Sequence, residues 1–251
     1  MKKIDSRTNP LYRAWKSLLE AKGIKEQGSL LVAGRKLVPE FLKRSDLRIQ
    51  YILISDPKDV ELLAFNKSLE VIWLKKDLFD EIDDAGTHFP ILVLEAPPLT
   101  HAGLDEKPQG LEVILSLSNP LNLGAALRSC EAFEVDRVYL TRECAHPFLT
   151  KVLRSSSGSS LRVPLALAPS LTALTEAQTK MIHALEMEGD SLATTDLPQN
   201  LRLLIGEEGR GIPEGLPFAG HLAIPMKEGM DSLNAVAATA IALFAYRQKN
   251  G

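Results

Sequence analysis

From residue 111 onward, short apolar runs alternate with helix-spaced ones, and that alternation admits few architectures. EVILSLS reads as a strand and GAALRSCEAFEV as a helix. DRVYLT is strand-like, LRVPLAL is extended and SLTALTEAQ is helical. KMIHALEM, LRLLIGE and HLAIPM are further short strands, and SLNAVAATAIALFAYRQK is a closing helix. Ser232 is placed to cap that helix. Short strands alternating with helices predict a mostly parallel α/β sheet. Such sheets gather ligands in the loops beyond the carboxyl ends of their strands.

The front of the chain alternates too. YRAWKSLLEAK has helical spacing, SLLVAG is a short strand, and RKLVPEFLKR is helical despite its proline. QYILIS, LEVIWLK and FPILVLE read as buried strands. The stretch EAPPLTHAGLDEKPQG is rich in Pro, Gly and charge and reads as a linker. The expected division is therefore a domain over residues 1–98, a linker over 99–110 and a second domain over 111–251.

With 251 residues, the chain is long enough for one large domain or two modest ones. Its longest apolar run, AVAATAIALFAY, is too short to span a bilayer. MKKIDSRTNP lacks the apolar segment of a signal peptide. Cys130 and Cys144 form neither a disulfide framework nor a zinc spacing, and five scattered histidines suggest no metal. A cytoplasmic, metal-free protein is expected. Net charge is -3, but residues 1–50 hold 12 Lys and Arg against 5 Asp and Glu. That asymmetry fits an RNA-facing module, and it equally fits an ordinary solvated basic surface.

Three motifs fall where strands end. The first, in LSNPLNLGAALRSC, is Asn122-x-Gly124-x-x-x-Arg128, which puts a long cation about one turn into a helix that starts near Gly124. A helix start favours anions, so Arg128 is either solvated or aimed at an anionic ligand there. The second is LLIGEEGRGIP, residues 203–213. Its glycines run G-x-x-G-x-G, not the G-x-G-x-x-G of a dinucleotide site, so a nicotinamide is not expected. The third is IPMKEGMDSLN, residues 224–234. Singly, a surface arginine, a carboxylate in a turn and an amide near a cap all have structural explanations.

In order and spacing, the three motifs together resemble the SpoU (TrmH-like) family of RNA ribose 2'-O-methyltransferases, within the SPOUT superfamily. NPLNLGAALRSCEAFEVDRVYL, LLIGEEGRGIPEGL and IPMKEGMDSLNAVAATAIALFAY carry the resemblance. VLRSSSGSSLRVPL matches the Ser/Gly-rich segment between them. The resemblance covers roughly residues 111–247. LLVAGRKLVPEFL is similar to the start of a small α/β ribosomal-protein-like RNA-binding domain that precedes the catalytic domain in rRNA members of the family. Departures are Val236 for a small polar residue, Ala240 for glycine and Ala33 for glutamate.

The resemblance implies a deep trefoil knot, a homodimer with sites at its interface, and S-adenosyl-L-methionine as cofactor. It implies that the loops of Gly206, Ile224, Met226 and Leu233 hold the cofactor. It places Arg128 near RNA phosphate and the ribose 2'-hydroxyl, with Asn122 orienting the loop or the ribose. Glu207, Ser232 and Asn234 would hold substrate and the polar network. rRNA is the favoured substrate. The alternatives are a tRNA enzyme or a non-catalytic RNA-binding or ribosome-assembly factor on the same scaffold. The family proposal of Arg128 as general base meets the guanidinium's reference pKa of about 12.5–13.8. Either Arg128 is deprotonated in a special site, or it stays cationic and steadies the developing alkoxide. The small-residue face Ala235, Ala238 and Ala242 suits either a dimer interface or the chain's own core.

Overall fold

The computed structural model describes residues 1–63, 68–206, 212–213, 215–230 and 232–250. The chain divides into two compact units, residues 1–97 with 146–158 and residues 98–145 with 159–251. No helix among the described residues is long and apolar enough to cross a membrane.

The first unit comprises β1 (Lys2–Ile4), α1 (Pro10–Ser17), α2 (Ala21–Gln27), β2 (Ser29–Val32), α3 (Leu37–Phe41), β3 (Ile49–Ile54), β4 (Glu70–Leu74), α4 (Lys76–Ile82) and β5 (Ile91–Glu95). Its sheet has the order β1-β4-β3-β5-β2, parallel at β1/β4 and β4/β3 and antiparallel where β5 joins β3 and β2. Trp15, Leu31, Leu53, Ile72, Phe79 and Ile91 fill one core cluster. The single helix expected over YRAWKSLLEAK is two helices, broken at Leu18–Glu20. Gly23 permits the close turn, since a Cβ there would lie 2.0 Å from the Ser17 carbonyl oxygen.

The second unit is built on β6 (Leu111–Leu115), α5 (Pro120–Ala132), β7 (Arg137–Leu140), β8 (Leu165–Leu167), α7 (Glu176–Thr179), β9 (His183–Glu186), β10 (Asp190–Ser191), β11 (Leu201–Ile205), β12 (Gly220–Ala223) and α8 (Ala235–Asn250). The seven strands are all parallel, in the order β10-β12-β9-β11-β6-β7-β8. β6 and β11 are buried along their whole length, as central strands of a parallel sheet covered on both faces must be. The α/β class and the parallel sheet read from the sequence are therefore observed. Between β7 and β8 lies α6 (Thr150–Ser155), which packs against β2 and belongs to the first unit. That segment, 146–158, falls inside the range expected for the second domain.

The stretch expected as a linker is fastened to the second unit. Arg202, 1% exposed, donates from Nε to Glu112 (2.7 Å) and from its two terminal nitrogens to the carbonyls of Leu104 and Glu106, both at 2.9 Å. Leu104 is fully buried, and backbone bonds join Ala102 and Thr100 to Leu167. The Pro/Gly-rich composition of this stretch reflects backbone turns, while its anchor is an arginine about a hundred residues away in sequence.

Candidate active site

The loop after β6 starts the site. Asn119 is the N-cap of α5: its side-chain oxygen accepts from the backbone N–H of Leu121 (2.9 Å) and Asn122 (3.4 Å), with Pro120 as the first helical residue. Proline there is preset in φ and forfeits only an N–H that lacks a helical partner anyway. Asn9-Pro10 starts α1 in the same way. The helix thus begins four residues before the Gly124 start read from the sequence. Arg128 is its ninth residue, about 12 Å along the axis from the start. The dipole effect is confined to the first turn, so the conflict between a cation and the helix start does not arise. Arg128 is exposed and shares a helix face with Leu121 and Ala125. Asn122, third in the helix, is half-buried.

Cys144 holds this loop in place. Its thiol donates to the Leu115 carbonyl (2.9 Å) and accepts from the Leu117 N–H (3.3 Å), while Ala145 N–H donates to the Leu117 carbonyl at 2.9 Å. Burial pushes the Cys144 thiol up to about 11 and the Cys130 thiol up to about 12. Both are structural thiols rather than nucleophiles.

Sheet register brings the second and third motifs to the same edge. Leu115 pairs with Ile205, Ile205 with Leu185, and Leu185 with Leu222, so β6, β11, β9 and β12 end in one row. Ser116 N–H donates to the Ile205 carbonyl at 3.0 Å, so the first motif loop leaves beside Gly206. Ile224 follows β12 directly, two strands from β11, or about 10 Å across the sheet. Gly206, Ile224, Met226 and Leu233 are half-buried, whereas Ser232 and Asn234 are exposed. Glu207, with Gly209 and Gly211, lies outside the described residues.

Ser232 is not the cap of the closing helix. Asn234 is: α8 starts at Ala235, and the Asn234 side-chain oxygen accepts from the Val236 N–H at 2.9 Å. Asparagine ranks with serine as a cap, and here it directly precedes the first helical residue. The side chain read as holding substrate therefore also fixes the angle at which α8 begins. α8 then packs along α5, burying Ala235, Thr239, Ala242, Leu243 and Tyr246. Arg247 donates to the Phe133 carbonyl (2.7 Å) and to the Glu134 carbonyl, satisfying groups at the end of α5. Of the small-residue face, Ala235 and Ala242 are core. The large apolar side chains left exposed on these two helices are Leu121 at the start of α5 and Ile241 and Phe244 on α8, with Phe244 in edge contact with Phe133 at 6.4 Å.

One part of the edge escaped sequence reasoning. β9 lies between β11 and β12, so the turn after Glu186 sits between the Gly206 and Ile224 loops. Met187 there is 49% exposed, and Gly189 (φ +153°) packs its Cα against the His221 backbone, where a Cβ would lie 2.5 Å from the oxygen. KMIHALEM carries no motif of its own; only strand order reveals its place.

The model of the SpoU rRNA methylase family matches residues 111–244. Over 98% of its length the chain is 35% identical to the ribosomal RNA small subunit methyltransferase G 2 of Syntrophobacter fumaroxidans, but it spans only about half (49%) of that relative. It is 26% identical to the 23S rRNA (guanosine(2553)-2'-O)-methyltransferase RlmP of Bacillus subtilis, covering 98% of this chain and 100% of that one. A TrmH-family protein from Porphyromonas gingivalis superposes with a TM-score of 0.77 at 25% identity, over 97% of this chain and 99% of that one. The AdoMet-bound rRNA methyltransferase from Sinorhizobium meliloti gives 0.77 at 24% identity, over 98% and 97%, and shares the fold.

Proposed function

Because the chain belongs to the SpoU rRNA methylase family, we propose that it transfers a methyl group from S-adenosyl-L-methionine to a ribose 2'-hydroxyl of structured RNA, rRNA rather than tRNA. The observation that carries this reading is the common edge of β6, β11, β9 and β12, from which every motif loop departs. The residues there suit the cofactor. Ile224, Met226 and Leu233 offer half-buried apolar surface for an adenine, and Gly206 lets the backbone approach closely. When bound, the sulfonium supplies an already activated methyl group.

The protein's task is then alignment. Arg128, exposed on α5, meets RNA phosphate and steadies negative charge on the attacking ribose oxygen, whose proton leaves to phosphate, water or another group. Asn122 and Asn234 project from the starts of α5 and α8 to orient the ribose. Glu207 and Ser232 complete the polar network. A deep trefoil knot is part of the proposal; the packing of α8 onto α5, across the sheet order from β12, supports it. Residues 1–98 serve as the RNA-binding domain. Two chains pair through the exposed Ile241 and Phe244 of α8, and the enzyme works in the cytoplasm without a metal.

Incubation with labelled S-adenosyl-L-methionine and separately with rRNA and tRNA tests the reading. Label is expected on 2'-oxygens of rRNA, located by their resistance to alkaline cleavage. Label on bases, or no transfer to any RNA, would overturn it; transfer to tRNA alone would overturn the substrate assignment.

A further inference from the structure

The first unit contains a cleft of about 500 Å³ between α1 and the amino-terminal ends of β2 and β3. It lies at the opposite end of β2 from the Gly34-Arg35-Lys36 loop. Its volume falls in the range of small-ligand sites. Trp15, Leu18 and Val93, all nearly fully buried, contribute its apolar floor. Tyr51, half-buried, meets Trp15 edge-on at 5.2 Å and 61°, so the two rings form a corner. Trp15 backs the corner from the core, and half-buried Tyr51 is the ring an incoming base can meet.

The rim is polar and neutral. Ser29 Oγ donates to Gln50 Oε1 at 3.0 Å, and Gln27 stands beside them. Gln50 sits where the β3/β5 register shifts between Ile49 and Tyr51. A bulge of this kind re-aims a side chain, and here Ile49, Gln50 and Tyr51 all line the cleft. The charged residues on the lining are Arg48 and Glu70, one of each sign, and Arg48 is bridged to Glu95 at 3.1 Å. A phosphate would find no net positive field inside. A flat, uncharged heteroaromatic with hydrogen-bonding edges matches the lining. Outside the cleft, the basic excess of residues 1–50 suits a ribose-phosphate backbone.

We propose that this cleft receives one unstacked base of the RNA substrate, other than the base of the methylated nucleotide; the proposal rests on the RNA methyltransferase reading. Sequence-tolerant stacking on aromatic side chains is how single-stranded RNA is commonly gripped.

The full-length protein is titrated with hexaadenylate, hexauridylate and a base-free ribose-phosphate hexamer, and rRNA methylation is followed in parallel. The wild type is expected to bind the base-bearing hexamers roughly tenfold more tightly than the base-free one. Ala14→Trp, which fills the cleft from α1, should erase that preference and raise KM for rRNA while kcat is kept. Tyr51→Leu should do the same and Tyr51→Phe should restore it, which keeps the test sound if Ala14→Trp does not fold. Variants with wild-type preference and KM would overturn the proposal, as would a cleft that takes a peptide and leaves RNA affinity untouched. If the wild type methylates rRNA and only the base preference is missing, the cleft assignment alone fails. If the wild type neither binds nor methylates RNA, both fall.

Discussion

Arg128 stands on the ninth residue of α5, exposed, while its neighbours Leu127 and Cys130 are fully buried. Its removal should therefore cost the fold little and the reaction much. Arg128→Ala is expected to melt within a degree or two of wild type, bind S-adenosyl-L-methionine normally and lose methyl transfer by about 100-fold or more, the scale of deleting one preorganised charge. Arg128→Lys separates the two chemistries. If a base is needed, lysine recovers activity as pH rises toward its reference pKa of about 10.4; if a fixed planar cation is needed, it stays poor at every pH. The second outcome is expected. Wild-type transfer by Arg128→Ala would reduce it to a surface cation.

Among the elements, the strap over residues 98–110 depends most on one side chain. Arg202 joins Glu112 and two strap carbonyls inside a protein interior, where a charge left without its partner is expensive. Arg202→Met strands the Glu112 carboxylate and should destabilise the protein by about 3–5 kcal/mol in urea denaturation. Adding Glu112→Leu should recover part of that loss, because the stranded charge goes with it. A loss under about 1 kcal/mol for Arg202→Met would mean that water reaches the pair and that Leu104 burial and the Thr100 and Ala102 bonds to Leu167 suffice to hold the strap.

At the scale of the whole molecule, Ile241 and Phe244 on α8 are 41 and 53% exposed, apolar surface that a partner would cover. A second copy is the occupant expected here. Light scattering at low micromolar concentration should give twice the chain mass, since obligate interfaces are large and persistent. Phe244→Asp should give a folded monomer by circular dichroism, with cofactor binding reduced if the site is shared across the interface. A wild-type monomer, or a dimeric Phe244→Asp, would count against this face.

Much of the architecture was legible along the chain. Runs such as LEVIL and LRLLI are apolar but for Glu112 and Arg202, which pair with each other, as strands buried on both faces require, and the sequence alone determined a parallel α/β sheet and the motifs at its strand ends. Local punctuation was less well read. The helix reads from the sequence as starting near Gly124, yet Asn119 caps it and Pro120 is its first residue, because a proline in the first turn suits a helix start. Ser232 and Asn234 are both good caps, and only the observed start of α8 chose between them. Three features needed the tertiary structure because each joins residues far apart in sequence. These are the place of β9 between β11 and β12, the hold of Arg202 on the strap, and the burial of Ala235 and Ala242 with Ile241 and Phe244 outside. A sequence fixes which faces are apolar through local spacing, but what each face meets is set by strand order and packing, and neither is written in any one segment.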